Sequence, residues 1–275
     1  MTALMRLFLF LLFGFFPASS VLAGNSADGL TKGRDVVDAR HYPFSAVGRV
    51  QWAGIRDRAH CTGALIGERI VLTAAHCLFS MRTKKWIRPG LVHFVAGYHK
   101  GEPLAHSVAV RYLKHPGFDL TKGLTRQNLE TDWALIELEK PIGRQVGYLG
   151  WQVADGNAIA RHLQEGWKIM LTGYPKDRSH VISIDQGCSA AMKQKLIEHN
   201  CFTTHGDSGG PLMLTRDETF KVIGLNSSNI KSGAIGRAVP MISFQAALKE
   251  LGLTGKRSDG QAPTEPVAQN ETATQ

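Results

Sequence analysis

Residues 36–244 are built of short apolar and β-branched runs cut repeatedly by Gly, Pro and Asp. Runs at 45–50, 63–66, 69–73, 91–95, 106–111, 133–138, 168–172, 211–214 and 221–225 each have strand length. Many short strands at this spacing point to sandwiches or barrels rather than to βαβ units. A single domain usually runs to roughly 100–200 residues, so a chain of 275 is expected to form two compact halves. Lys140-Pro-Ile-Gly-Arg144 has the look of the joint between them. Residues 242–251 carry apolar side chains at helical spacing and stop before Gly252, which predicts one terminal helix. From Thr254 to Gln275 the chain is polar and is expected to be a disordered tail.

The first 23 residues place Arg6 before an apolar run from Leu7 to Phe16 and end on small residues at Val21 and Ala23. This is the pattern of a cleaved secretory leader. The run is shorter than the ~20 apolar residues that span a bilayer. The protein is therefore expected to be secreted or periplasmic, with no membrane attachment once the leader is gone. In an oxidising compartment Cys61, Cys77, Cys188 and Cys201 favour disulfides. Three connectivities exist; the close pairs Cys61–Cys77 and Cys188–Cys201 are the simplest, each worth about 3 kcal/mol of loop closure. Zinc is the rival, through His60 and His76, but neither cysteine pair has the spacing of a structural zinc site, so no metal is expected. The net charge is +9, and the Lys and Arg residues are scattered. A solvated basic face fits better than a nucleic-acid partner.

Three segments carry chemistry. Thr204-His-Gly-Asp-Ser-Gly-Gly-Pro211 flanks a serine with glycines, so that the chain can turn and the amides of Gly206 and Ser208 can converge on one point. A serine needs such donors, and a base, to act as a nucleophile. Val71-Leu-Thr-Ala-Ala-His-Cys77 ends an apolar strand on small residues and delivers a histidine, whose pKa of about 6.5 suits proton transfer. Thr131-Asp-Trp-Ala-Leu-Ile-Glu-Leu138 puts an aspartate at the mouth of an apolar strand, where burial would let it orient an imidazole. Each segment alone has an ordinary structural explanation. Together they stand in the order His, Asp, Ser.

With these motifs in that order, the chain resembles the chymotrypsin-like serine peptidases over residues 36–251. The resemblance implies an all-β fold of two antiparallel six-stranded β-barrels, with the active site in the cleft between them and a short C-terminal helix. It implies barrels over 36–140 and 141–253, preceded by an N-terminal segment, 24–35, either retained or removed as a propeptide. It further implies His76 as general base, Asp132 as its orienter and Ser208 as nucleophile, with Gly206 and Ser208 forming the oxyanion hole. Cys61 and Cys77 match the disulfide that brackets the catalytic histidine in this family. The implied protein is a monomeric endopeptidase that acts on polypeptides and needs no cofactor.

Tyr42-Pro-Phe-Ser-Ala-Val-Gly48, Thr172-Gly-Tyr-Pro-Lys-Asp177 and Val222-Ile-Gly-Leu-Asn226 are similar to segments of the bacterial glutamyl-endopeptidase-like branch. Substrate binding is expected at Phe202, Thr203, Asn226 and Ser227. Trypsin-like members carry Asp where this chain has Phe202, which argues against Lys or Arg specificity. Thr203 matches a residue that helps bind glutamate. Asn226 stands in place of a histidine and cannot carry charge, so the pocket is expected to take an uncharged or weakly selected side chain. Asp207 matches the residue that in zymogen-type relatives pairs with a freshly cut amino terminus, and Gly33-Arg34-Asp35 offers a cut after Arg34.

Overall fold

A computed structural model describes residues 34–53, 58–123, 125–230, 234–253, 257–258 and 260–264. The expected leader, nearly all of the 24–35 segment and the end of the tail lie outside the described residues.

Six strands form the first half: β1 (Val47–Ala53), β2 (Arg58–Leu65), β3 (Ile70–Thr73), β4 (His93–Ala96), β5 (Ala105–Lys114) and β6 (Ala134–Leu138). They pair in the order β1-β2-β3-β6-β5-β4, and β4 returns to β1. This closed antiparallel barrel leaves no free edge. Every residue of β3 is buried, because the strand lies between β2 and β6 and packs on both faces.

The second half contains β7 (Gly150–Gln152), β8 (Lys168–Gly173), β9 (Ser183–Cys188), β10 (Ala190–Lys193), β11 (Leu196–His199), β12 (Pro211–Arg216), β13 (Thr219–Ile230) and β14 (Ile235–Pro240). The order β9-β8-β12-β13-β14-β11-β10 makes a barrel-like sheet. The two halves are thus the double barrel that the motifs imply, with two departures. This sheet holds more than six strands, and β7 joins β13 in parallel rather than antiparallel fashion. The two-residue strand Asp35–Val36 also belongs here, paired with β9, although residue 36 was expected to open the first barrel.

One turn of helix, Gly143–Val146, occupies the expected joint. The terminal helix begins as a 3-10 turn, Met241–Phe244, continues as Gln245–Glu250 and ends before Gly252. A second helix, Gly156–Gln164, starts where the Asp155 carboxylate accepts the Ala158 amide at 2.8 Å.

Part of the stretch expected as a disordered tail is paired, at residues 257–258 and 261. Arg257–Ser258 pairs with β7, and the backbones of Tyr148 and Gln261 exchange two hydrogen bonds of 2.8 Å. The Tyr148 hydroxyl donates to Gln261 Oε1 at 3.0 Å. β7 offers an unpaired edge that β13 does not cover, and polar backbone there gains more from a strand partner than from a floating tail. Ending the chain at Leu253 should therefore cost about 2 kcal/mol for the lost hydrogen bonds. In a scanning calorimeter this would lower the melting midpoint by roughly 4–8 °C; an unchanged midpoint would contradict the docking of this segment.

Candidate active site

His76 comes from the first barrel. The buried strand β3 ends at Thr73, and a 3-10 turn, Ala75–Leu78, follows. Ala75, Cys77 and Leu78 are buried, so the turn is anchored and His76 is left one-fifth exposed. Asp132 is fully buried. Both of its carboxylate oxygens are engaged: Oδ1 accepts the His76 backbone amide at 2.9 Å, and Oδ2 accepts His76 Nδ1–H at 2.7 Å. The Ser227 hydroxyl, reaching in from β13, donates to Oδ2 at 2.5 Å. Burial pushes the His76 imidazolium down, but the Asp132 charge and its hydrogen bond outweigh that effect and hold the pKa above its ordinary value. With Nδ1–H given to Asp132, Nε2 is the free nitrogen.

Ser208 comes from the second barrel, in the turn before β12. Gly206 and Gly209 have φ of +96° and +81°, where side chains are strained. A Cβ at Gly209 would stand 2.2 Å from the Thr62 carbonyl oxygen. The loop holds itself through Asp207 N–H to Thr204 O (3.2 Å), Gly210 N–H to Asp207 O (2.9 Å) and Gly209 N–H to Asn226 O (2.6 Å). Among the described residues, the amides of Gly206 and Ser208 donate to no acceptor. The Ser208 hydroxyl likewise makes no hydrogen bond among the described residues. Its carbonyl oxygen lies 3.9 Å from Cys77 Sγ, which places the serine beside the His76 turn.

Sequence reasoning missed the residue that stitches these parts together. Thr62, in β2 and fully buried, donates its amide to Ser208 O (2.9 Å) and its hydroxyl to Gly206 O (2.8 Å). The same hydroxyl accepts the Tyr174 amide (2.9 Å). Nothing in the string Cys61-Thr62-Gly63 distinguishes this threonine from any other in a strand.

The expected substrate-binding positions divide. Phe202 is partly exposed, and Thr203 is buried with its hydroxyl unpartnered. Asn226 spends its amide nitrogen on Asp207 O (3.3 Å) and leaves Oδ1 unpartnered. The hydroxyl of Ser227, the fourth of these positions, is committed to Asp132. His199 is a further buried residue that the motifs did not reveal. Both of its ring nitrogens are unpartnered, and burial pulls its pKa down to about 4 against the opposing influence of the neighbouring Asn226, so it is neutral at pH 7.

The cysteines pair as Cys61–Cys77 and Cys188–Cys201. Cys61, His76 and Cys77 cluster closely enough to suggest metal ligands. The two sulfurs are bonded to each other and so offer no thiolate.

A family model described as Trypsin matches residues 33–248. The chain belongs to the trypsin family. Glutamyl endopeptidase of Bacillus licheniformis is 24% identical over 199 residues, covering 71% of this chain and 57% of that protein. Glucanase inhibitor protein 3 of Phytophthora infestans is 28% identical over 199 residues, covering 63% of this chain and 69% of that one. The first curated relatives are longer, and this chain spans 57% and 61% of them. Among solved structures, a Glu endopeptidase in complex with MPD superposes with a TM-score of 0.63 at 18% identity, covering 80% of this chain and 96% of that one. The thermostable serine protease AL20 gives 0.58 at 17% identity, covering 77% and 98%. These likenesses establish the chymotrypsin-like fold, and membership of the trypsin family supports a serine protease.

The electrostatics of His76 are open to direct measurement. In the Asp132→Asn variant the charge that raises the imidazole pKa is gone and burial remains. NMR titration of His76 should show a pKa above about 6.5 in the native protein and below it in the variant. Equal values would contradict the coupling.

Proposed function

We propose that this trypsin-family protein is a secreted or periplasmic serine endopeptidase in which Ser208, His76 and Asp132 form the catalytic triad. The observation that carries the reading is the buried Asp132 carboxylate holding His76 by Nδ1, with Nε2 turned free and two unengaged amides at the Ser208 turn. Ser208 Oγ attacks the scissile carbonyl carbon while His76 Nε2 takes its proton. Asp132 stabilises the resulting imidazolium. The carbonyl oxygen becomes an oxyanion that accepts from the amides of Gly206 and Ser208. The carbon–nitrogen bond breaks, the leaving amine takes the proton from His76, and an acyl-serine remains. Water then attacks by the same route, and His76 returns the proton to Ser208. The reaction requires Ser208 Oγ to donate to His76 Nε2, a bond that forms in the complex with substrate.

Substrate choice follows from the pocket residues. Phe202 offers no charge to Lys or Arg. Asn226 donates to Asp207 rather than outward, and His199 beside it is neutral. Thr203 Oγ and Asn226 Oδ1 are left as weak polar partners. We infer a preference for uncharged side chains or weak selectivity before the cleaved bond.

A second reading, a non-catalytic binding protein on the same fold, gains some support from the relative named as a glucanase inhibitor protein. Turnover separates the two. Ser208→Ala should lower peptide hydrolysis by on the order of 10⁶ in kcat, and Asp132→Asn by about 10⁴ through the wrong imidazole tautomer. Undiminished hydrolysis by Ser208→Ala, or none by the native protein, would sink the triad. Cleavage of a peptide library should show no dominant Glu, Lys or Arg before the cut; overwhelming selection of any one of them would refute the pocket assignment.

A further inference from the structure

Asp207 precedes the nucleophile and is fully buried, and its partner is a side chain from the start of the described chain. Arg34 Nη1 donates to Asp207 Oδ2 at 2.8 Å, and neither side chain is exposed (0% for both). The rest of the guanidinium is also engaged. Nη1 donates to the Phe202 carbonyl (3.2 Å), Nη2 to the Ser183 carbonyl (2.8 Å) and Nε to the Ser183 hydroxyl (3.1 Å). Ser183 lies in β9, and the adjoining Asp35–Val36 pairs with the same strand, so the base of the arginine is anchored.

The guanidinium therefore holds two points of the nucleophile loop, Phe202 and Asp207, against a fixed strand. Asp207 Oδ2 also accepts the Thr204 amide at 2.9 Å. Its other oxygen occupies the space that a Cβ on Gly173 would need, at 2.4 Å, and has no partner of its own. Burial pushes the carboxyl up, to about 6, with the Arg34 charge and the Thr204 amide pulling against it. Without a cation the carboxylate would have to take up a proton or leave the pocket, because an unpaired buried charge is costly. Either event would shift the turn that presents the amides of Gly206 and Ser208.

This arrangement argues against activation by a cut after Arg34. Such a cut would sever the chain at a side chain with no exposure and discard the cation that Asp207 needs. The new terminus would begin with Asp35, which brings a carboxylate toward a carboxylate, and Asp35 and Val36 lie exposed on the sheet edge rather than in the Asp207 pocket.

We propose that Arg34 is a positioning residue, an internal counter-ion that sets the oxyanion-binding turn through Asp207, so that the enzyme is competent with Arg34 retained and is switched off by cleavage after it. The proposal rests on the serine-peptidase reading above. It assigns to a side chain the task that zymogen-type relatives give to a new amino terminus.

Two measurements test it. Intact-mass analysis of the active enzyme should find Arg34 present; activity confined to chains that begin at Asp35 or later would overturn the proposal. Arg34→Gln should lower kcat by about 10²-fold, the scale of a lost oxyanion donor, with a smaller change in KM. Arg34→Lys should recover part of the rate, and millimolar guanidinium ion should rescue Arg34→Gln where ammonium does not. If Arg34→Gln fails to fold, the Arg34→Gln/Asp207→Asn double variant removes the stranded carboxylate and should fold yet remain slow. A native rate in either variant would overturn the proposal alone. A native protein that neither cleaves peptides nor reacts with an active-site phosphonate would overturn the serine-peptidase reading, and this proposal with it.

Discussion

Two neighbouring residues of β2 hold His76 and Ser208, the proposed catalytic partners, in one frame. Cys61 is bonded to Cys77, the residue after His76, and Thr62 is hydrogen-bonded to the carbonyls of Ser208 and Gly206. His76 belongs to the first barrel and Ser208 to the second, so their separation is set by this short stretch of strand rather than by a common element. Each Thr62 hydrogen bond is worth about 1 kcal/mol net, but losing a buried partner strands polar groups at a larger cost. The seam is therefore costly to break.

Two buried carboxylates flank that seam and are handled differently. Asp132 is satisfied by His76 and Ser227, so one oxygen bridges the barrels while both orient the imidazole. One oxygen of Asp207 accepts from Arg34 and from the Thr204 amide, and the other has no partner. The first arrangement raises the pKa of His76. The second braces the loop that carries Ser208. A charge buried without a partner would be expensive at either place, which is why both partners reach across from distant parts of the chain.

That distance explains what the sequence could and could not show. The apolar runs at 69–73 and 133–138 became β3 and β6, because uninterrupted burial leaves a signal readable along the chain. The runs at 91–95 and 106–111 likewise became β4 and β5. Strands β7, β9, β10, β11 and β14 escaped notice; Ala190-Ala-Met-Lys193 alternates with exposure on a sheet edge, and Ile235-Gly-Arg-Ala-Val-Pro240 hides its strand behind Gly, Arg and Pro. His76, Asp132 and Ser208 stood out through their local motifs. Thr62 and His199 did not, and the contacts of Ser227 with Asp132 and of Arg34 with Asp207 were not legible, because each gains its place from a partner scores of residues away or from burial alone. Residues 257–258 and 261 were hidden for a related reason: a polar stretch can still pair its backbone with an open strand edge.

The central claim is that Ser208 is the nucleophile activated by His76. Mass spectrometry after treatment with a fluorophosphonate tests it directly, because that reagent phosphonylates an activated serine. One adduct on the Ser208 peptide, lost in His76→Ala, is the result this account requires; an unmodified Ser208 or an adduct on another serine would contradict it.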